Sequence, residues 1–311
     1  MNYVEPLEGT LTHVYDGVEY KASYYKPATL ITGATDESYT IWDGVVTFNT
    51  GEYTIVDELK TIYRSAIDTN SSYPPANPDT WVNYGSVNSF AMFASDENIG
   101  SATTGVDIVM EFDFSKSDTF AMVDCEFVSV VAEQLDELGN VISTETISGS
   151  DYGATTYGEY YYADKENKTR LIKTGLEWLP SSKLRLTFAG AVVIGTFVYG
   201  LEKDMGMTLF GTSMEIDTSS KFEINKFTGF RKIIRKGVVR VLDVKLIFET
   251  DDFNRLASIA NNIIDKNILW IPTQLDKFSE LIDIGYIEKF KIPIDNPTMI
   301  ETHSTIVGVR K

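Results

Sequence analysis

Val106-Asp107-Ile108-Val109-Met110-Glu111-Phe112-Asp113-Phe114 is the stretch on which the fold turns: apolar side chains at 106, 108, 110, 112 and 114 alternate with Asp107, Glu111 and Asp113. Side chains on a strand point alternately to its two faces, so one face here is expected to be buried, as in a sandwich sheet. The neighbouring sequence repeats the pattern. Residues 120–131, 141–147, 158–162, 184–188 and 192–199 read as further strands separated by turn residues. Leu138-Gly139-Asn140 closes a hairpin between 127–135 and 141–147, which makes the sheet antiparallel.

Upstream, Val18, Tyr20, Ala22 and Tyr24 alternate, with turn signals at Asp16-Gly17, Asp43-Gly44 and Thr50-Gly51, so small strands and hairpins are expected over residues 1–80. Residues 68–80 (DTNSSYPPANPDT) suit neither a helix nor a central strand, because Pro74, Pro75 and Pro78 fix φ and lack an N–H. They read as a linker or irregular loop. Past Gly200, strands are expected at 213–216, 222–224, 236–248, 269–272, 285–293 and 300–309. One amphipathic helix interrupts them at about 251–267, capped by Asp251 or Asp252, with Phe253, Leu256, Ala257, Ala260, Ile263 and Ile264 as its apolar stripe. The expected fold class is all-β and mainly antiparallel, in three parts. These are small β modules at 1–80, a β-sandwich at 81–200, and a C-terminal β domain at 201–311 that carries the helix.

The chain has 311 residues, 43% of them apolar and 12% aromatic, enough for packed cores and too many for a disordered chain. Its longest apolar run, 188–199, is broken by Gly190 and Gly195 and is too short for a membrane helix, so no membrane insertion is expected. The start, MNYVEPLEGT, has neither the basic nor the apolar region of a secretory signal, which points to synthesis in a cytoplasm. A single cysteine, Cys125, leaves no internal disulfide and no cysteine-rich zinc site. The formal charge of −18 is uneven: residues 1–80 carry 4 basic and 12 acidic groups, 81–200 carry 7 and 17, and 201–311 carry 16 and 16. An acidic front two-thirds repels phosphate backbones, so sequence-specific nucleic acid is not an expected partner.

Chemistry-bearing clusters are sparse. The only histidines, His13 and His303, lie near opposite ends of the chain, which disfavours a nucleophile–histidine site. Glu111 and Asp113, two apart on one strand, share a side and form a carboxylate pair of the kind glycoside hydrolysis uses, or else a solvated face. Asp96, Glu97 and Asn98, and Asp124 with Glu126, offer oxygen ligands without the spacing of a defined calcium loop. No glycine spacing cradles a phosphate, so no cofactor is expected. The basic run that includes Lys226, Arg231, Lys232, Arg235, Lys236 and Arg240 is interleaved with apolar residues. It reads as the charged outer side of a sheet edge, as a phosphate-facing patch, or as a docking strip for an acidic neighbour, another copy included. Trp42, Tyr53, Tyr63, Tyr73 and Trp81 are dense for a short segment. They are either the core of a small module or a sugar-stacking surface, for which Trp42, Tyr63 and Trp81 are the candidates.

The segment 51–81, GEYTIVDELKTIYRSAIDTNSSYPPANPDTW, resembles small carbohydrate-binding modules of the chitin-binding kind, within a module spanning 40–80. The run that follows, PDTWVNYGSVNSFAMF at 78–93, resembles a family of tailed-bacteriophage virion proteins through Trp81, Gly85, Asn88, Met92 and Phe93. AGAVVIGTFVYG (189–200), MGMTLFGTSMEIDTSSK (205–221), ILWIPT (268–273) and GYIEKFKI (285–292) keep the family's order, so the likeness spans most of residues 50–311. The family often carries an aspartate after the Met-Phe pair where this chain has Ala94, and no role for that acid carries over. The resemblance implies a structural tail, tail-tip or adaptor protein of the virion, with no described catalytic site. Its expected partners are other virion proteins and further copies in a cyclic homo-oligomer, with a host surface glycan as the alternative ligand. An enzyme acting on envelope glycan is the remote third reading.

Overall fold

The computed structural model describes residues 1–95, 102–151, 166–177, 179–218, 221–224, 231–234, 238–264, 266–273, 275–293 and 298–308. It forms two compact units, Pro6–Gly200 and Met1–Glu5 with Leu201–Lys311. The fold is all-β as expected, and among the described residues every strand pairing is antiparallel except the two-residue one between Thr40–Ile41 and Tyr53–Val56. The strand expected at 158–162 lies outside the described residues.

In the first unit the decisive feature is a set of long strands that bend together. Lys183–Ala189, Gly190 and Ala191–Gly200 follow one another, and both strands pair with Thr103–Asp113, from Lys183 opposite Asp113 to Ile194 opposite Thr103. On their other edge the same two strands pair with Ser129–Leu135 and Thr119–Glu126. Both ladders slip by one residue at the same place: the pair Thr187/Val109 gives way to Ala191/Val106, and Glu126/Val193 to Ser129/Ala189. A one-residue slip is a bulge, and bulges let strands turn a corner between layers. The corner is held by Asp107 and Gly190, both left-handed at φ 50° and 76°. The Gly190 N–H donates to Asp107 Oδ1 at 2.7 Å, and the Asp107 N–H to the Gly190 carbonyl at 2.9 Å. Glycine takes this φ without a Cβ penalty, and aspartate tolerates it better than most residues.

Beyond the corner the two halves of the sheet face each other. Phe112, on the half paired with Lys183–Ala189, stacks on Phe197 of the other half with ring centroids 4.5 Å apart, and meets Tyr199 at 5.2 Å. Ile108, Met110, Phe112 and Phe114 are all 0% exposed, so the alternation read from the sequence is the buried face. Each contributes about 1.5–3 kcal/mol through burial. Val106 departs from it at 59% exposure, because the left-handed Asp107 resets the alternation at the bend. Val141–Ser148 adds to Ser129–Leu135 through the expected hairpin, whose turn is held by Asp136 Oδ1 accepting from the N–H groups of Leu138 and Asn140. Arg170–Lys173 closes the other end, and Leu30–Ala34 pairs with Thr103–Asp113.

Residue 80 is not a boundary between compact units. Trp81–Ser86 is the fourth strand of a small sheet made with Thr40–Ile41, Tyr53–Val56 and Thr61–Ser65, whereas Leu30–Ala34 belongs to the large one. The proline-rich stretch is a packed loop and not a linker: Asn70 is buried and its Nδ2 donates to the Thr80 carbonyl at 3.1 Å, and Tyr73 is buried beside it in sequence. A hairpin of Glu8–Tyr15 and Val18–Tyr25 turns through Asp16-Gly17, both at positive φ, the geometry a two-residue turn needs.

In the second unit the N-terminal strand Asn2–Val4 lies between Glu202–Asp204 and Ile268–Ile271. The sheet continues through Asp283–Lys291, Met299–Gly308 and Val238–Glu249 to Met207–Thr208, with Ser213–Thr218 also on Val238–Glu249. The helix spans Phe253–Ile263 and buries Leu256, Ala260 and Ile263. It is shorter than expected because Thr250–Asp252 forms a 3-10 turn and Ile264 turns extended at ψ 140°. Asp252 does not cap it through its side chain, which bonds Arg255 at 2.9 Å. Tyr3 is 1% exposed against Trp270, whose Nε1 donates to the Gly285 carbonyl at 2.8 Å. Tyr3→Ala should cost about 3–5 kcal/mol in denaturant unfolding followed by tryptophan fluorescence. A loss below about 1 kcal/mol would show that Asn2–Val4 is not a member of this sheet.

Candidate binding and docking surfaces

The three aromatics expected to bind sugar do not form one platform. Trp81 is 2% exposed, and its Nε1 donates to the Ser72 carbonyl and hydroxyl, both at 3.1 Å, so it anchors the proline-rich loop and offers no ring face to a ligand. Tyr63 is half-buried, and burial pushes its phenol up to about 12. Trp42, also half-buried, packs edge-on to Tyr73 at 4.9 Å and to Tyr15 at 5.5 Å, while Tyr15 stacks on Tyr73 at 4.2 Å. Trp42 and Tyr63 therefore share the cluster around Val56, Leu59 and Tyr73, of which Trp81 is not a member. Gly44, at φ 77°, lies against the Trp42 ring.

A different set of rings reaches solvent. On the opposite face of the small sheet, Tyr39 stacks on Tyr53 at 5.0 Å, Tyr84 meets Tyr53 edge-on at 4.9 Å, and the Arg64 guanidinium lies 5.9 Å from the Tyr53 ring centre. Tyr84 is 59% exposed. The pairing of Tyr53 with Arg64, and of Arg64 with Val82, builds this row. The sequence gives no periodic signal for it, because the row forms only through the register of three strands.

The carboxylates are tied down. Glu111 Oε1 accepts from Arg185 Nε at 2.7 Å, and Asp113 accepts from Lys26 at 2.9 Å, a bond that holds its carboxyl below the ordinary range. A general acid for glycoside cleavage needs the opposite shift. Asp124 faces Arg170 at 3.8 Å, while Asp96, Glu97 and Asn98 lie outside the described residues. Among the described residues no group of three or more His, Cys, Asp or Glu is placed to hold a metal. His13 packs near Tyr73 at 5.5 Å, and His303 sits across from Lys245 and Lys291 in the other unit. Burial pushes the Cys125 thiol up to about 12, leaving little nucleophilic thiolate at neutral pH.

Of the expected docking strip, Lys226, Arg235 and Lys236 lie outside the described residues. Arg231 and Lys232 stand on Arg231–Ile234, a hairpin partner of Lys221–Ile224. Arg240 is 3.3 Å from Glu280 and acts on Asp283, so its charge has partners within the unit. The second unit also carries an apolar cavity of about 460 Å³ between the turn Leu209–Thr212 and residues such as Met1, Ile271, Leu275 and Phe278. Sequence reading missed it, because its walls come from segments far apart in the chain.

Comparison of the chain with protein-family models, with curated proteins and with solved structures finds no match.

Asp283 is shifted the opposite way. It is 6% exposed, and burial, opposed by the Ile284 N–H and Arg240, raises its carboxyl from 3.8 to about 6. A folded-state pKa above the unfolded one favours the fold while the acid is protonated and loses that advantage as pH rises from about 4 through 6. Asp283→Asn removes the titration. Its stability relative to the parent should therefore rise by about 1–3 kcal/mol between pH 4 and pH 7. Denaturant midpoints at the two pH values measure it, and a pH-independent difference would contradict the burial of this acid.

Proposed function

We propose that this chain is a non-enzymatic structural component of a tailed-bacteriophage particle, a tail, tail-tip or adaptor protein that joins virion subunits. The observation that carries the reading is the ordered resemblance beginning at 78–93, taken together with the work its matching residues do. Trp81, Met92 and Phe93 are buried, and Gly85 stands at φ 135°. Asn88 stitches three segments together, its Nδ2 donating to the carbonyls of Thr35 and Thr104 and its Oδ1 accepting from the Thr104 N–H. Residues that build an architecture, and not a reactive cluster, are what a family of assembly proteins has reason to share. The paired states of Glu111 and Asp113 favour this reading over envelope hydrolysis.

A second reading, a glycan-binding virion protein, is favoured by Tyr39, Tyr53, Tyr84 and Arg64, where phenol rings and a guanidinium reach solvent together. Two experiments separate the readings. A phage genome with a stop codon at position 81 should yield incomplete particles that are restored when the chain is supplied from a plasmid. Complete, infectious particles without it would end the structural reading. On an array of bacterial envelope glycans, Tyr84→Ala should lower any specific retention about tenfold or more. An array that is blank with the parent chain would retire the glycan reading.

A further inference from the structure

The segment Met1–Glu5 is separated along the chain from the rest of its sheet by the whole of Pro6–Gly200, yet it belongs to the unit of Leu201–Lys311. It runs antiparallel between two strands, with Tyr3 opposite Lys203 on one side and Trp270 on the other. Its side chains bind the same unit. Asn2 Nδ2 donates to Glu202 Oε1, Tyr3 packs on Trp270 with ring centroids 5.9 Å apart, and Glu5 takes Lys203 at 3.1 Å and Lys266 at 2.6 Å. Met1 and Asn2 also line the apolar cavity, at whose rim Phe210 stands fully exposed. Ile268–Ile271 is buried along its whole length, and among the described residues Glu202–Asp204 pairs with no other strand. Without the segment, one strand would lose its only partner and the other would show water a bare apolar edge, the state that strand addition relieves.

We propose that the slot between Glu202–Asp204 and Ile268–Ile271 is a strand-acceptor site, filled here in cis by Met1–Glu5 and able to take the same segment in trans. Main-chain pairing on both sides supplies affinity, and side chains supply selectivity. Tyr3 and Glu5 are two apart on one extended segment and so face the same side, where Lys203 serves both. Its Nζ lies 5.8 Å from the Tyr3 ring centre and 3.1 Å from Glu5 Oε2. The ligand is thus an extended peptide with an aromatic residue followed two positions later by a carboxylate, which Lys203 and Lys266 select by charge. The chain connection at Pro6 contributes effective concentration, while the recognition lies within Met1–Glu5, so a free peptide of that sequence carries it. This inference does not rest on the virion reading.

The test uses the full chain and a labelled peptide of sequence Met-Asn-Tyr-Val-Glu-Pro, with binding read by fluorescence polarisation and stability by the denaturant midpoint. In the parent the chain's own segment competes at an effective concentration of about millimolar or more, so the peptide should bind weakly. Tyr3→Ala loosens that segment, and the peptide should bind this variant about tenfold or more tightly than it binds the parent and return the midpoint toward the parental value. Tyr3→Leu keeps an apolar side chain against Trp270 and decides the matter if Tyr3→Ala does not fold; the same ranking is expected. Peptides carrying Tyr3→Ala or Glu5→Lys should lose the binding. The site is overturned if the peptide binds neither variant more tightly than the parent, or if the altered peptides bind as well as the unaltered one.

Discussion

The bend at Asp107 and Gly190 is the constraint on which the larger unit depends. Three long strand runs, 103–113, 119–135 and 183–200, would make a flat sheet with one wet face if they ran straight. The paired one-residue slips at the corner fold that sheet over itself, and Phe112 then finds Phe197. The aromatic and methionine side chains of these runs are consumed in the space between the two halves. The small sheet of residues 40–86 is tied to the same core through Asn88, which bonds both Thr35 and Thr104, and through Phe90, which meets Phe93.

A core used up in this way leaves chemistry to the surface, and there several of the charged groups are paired. Glu111 has Arg185, Asp113 has Lys26, Glu5 has Lys203 and Lys266, and Arg240 has Glu280. Partly exposed pairs of this kind add little stability, but they keep the carboxylates occupied. What stands out against that background is apolar: the Tyr84 row on one unit and the Phe210 rim on the other. Removing such surface from water would release free energy, and doing so needs no reactive group.

Much of the fold was legible because it rests on local periodicity and turn chemistry. The alternation at 108–114, the hairpin at Leu138-Gly139-Asn140 and the two-residue turn at Asp16-Gly17 each depend on residues close in sequence. The rest depends on long-range pairing, which sequence period does not encode. Nothing in Asn2-Tyr3-Val4 says that it joins Ile268–Ile271, and no composition shift marks Trp81–Ser86 as the fourth strand of the small sheet. The site was less legible still. Aromatic density located the right segment, but whether a ring is core or surface follows from strand register. Trp81 thus turned inward, and Tyr84, three residues on, turned out.

If the chain is a part of a particle, its place should be visible there. Electron cryo-microscopy of intact phage particles that encode this chain is the most direct measurement. The virion reading predicts density that fits the bent sheet built on the strand runs 103–113, 119–135 and 183–200 at symmetry-related positions in the tail. A complete tail map in which other proteins account for every density, with no room for that sheet, would contradict it.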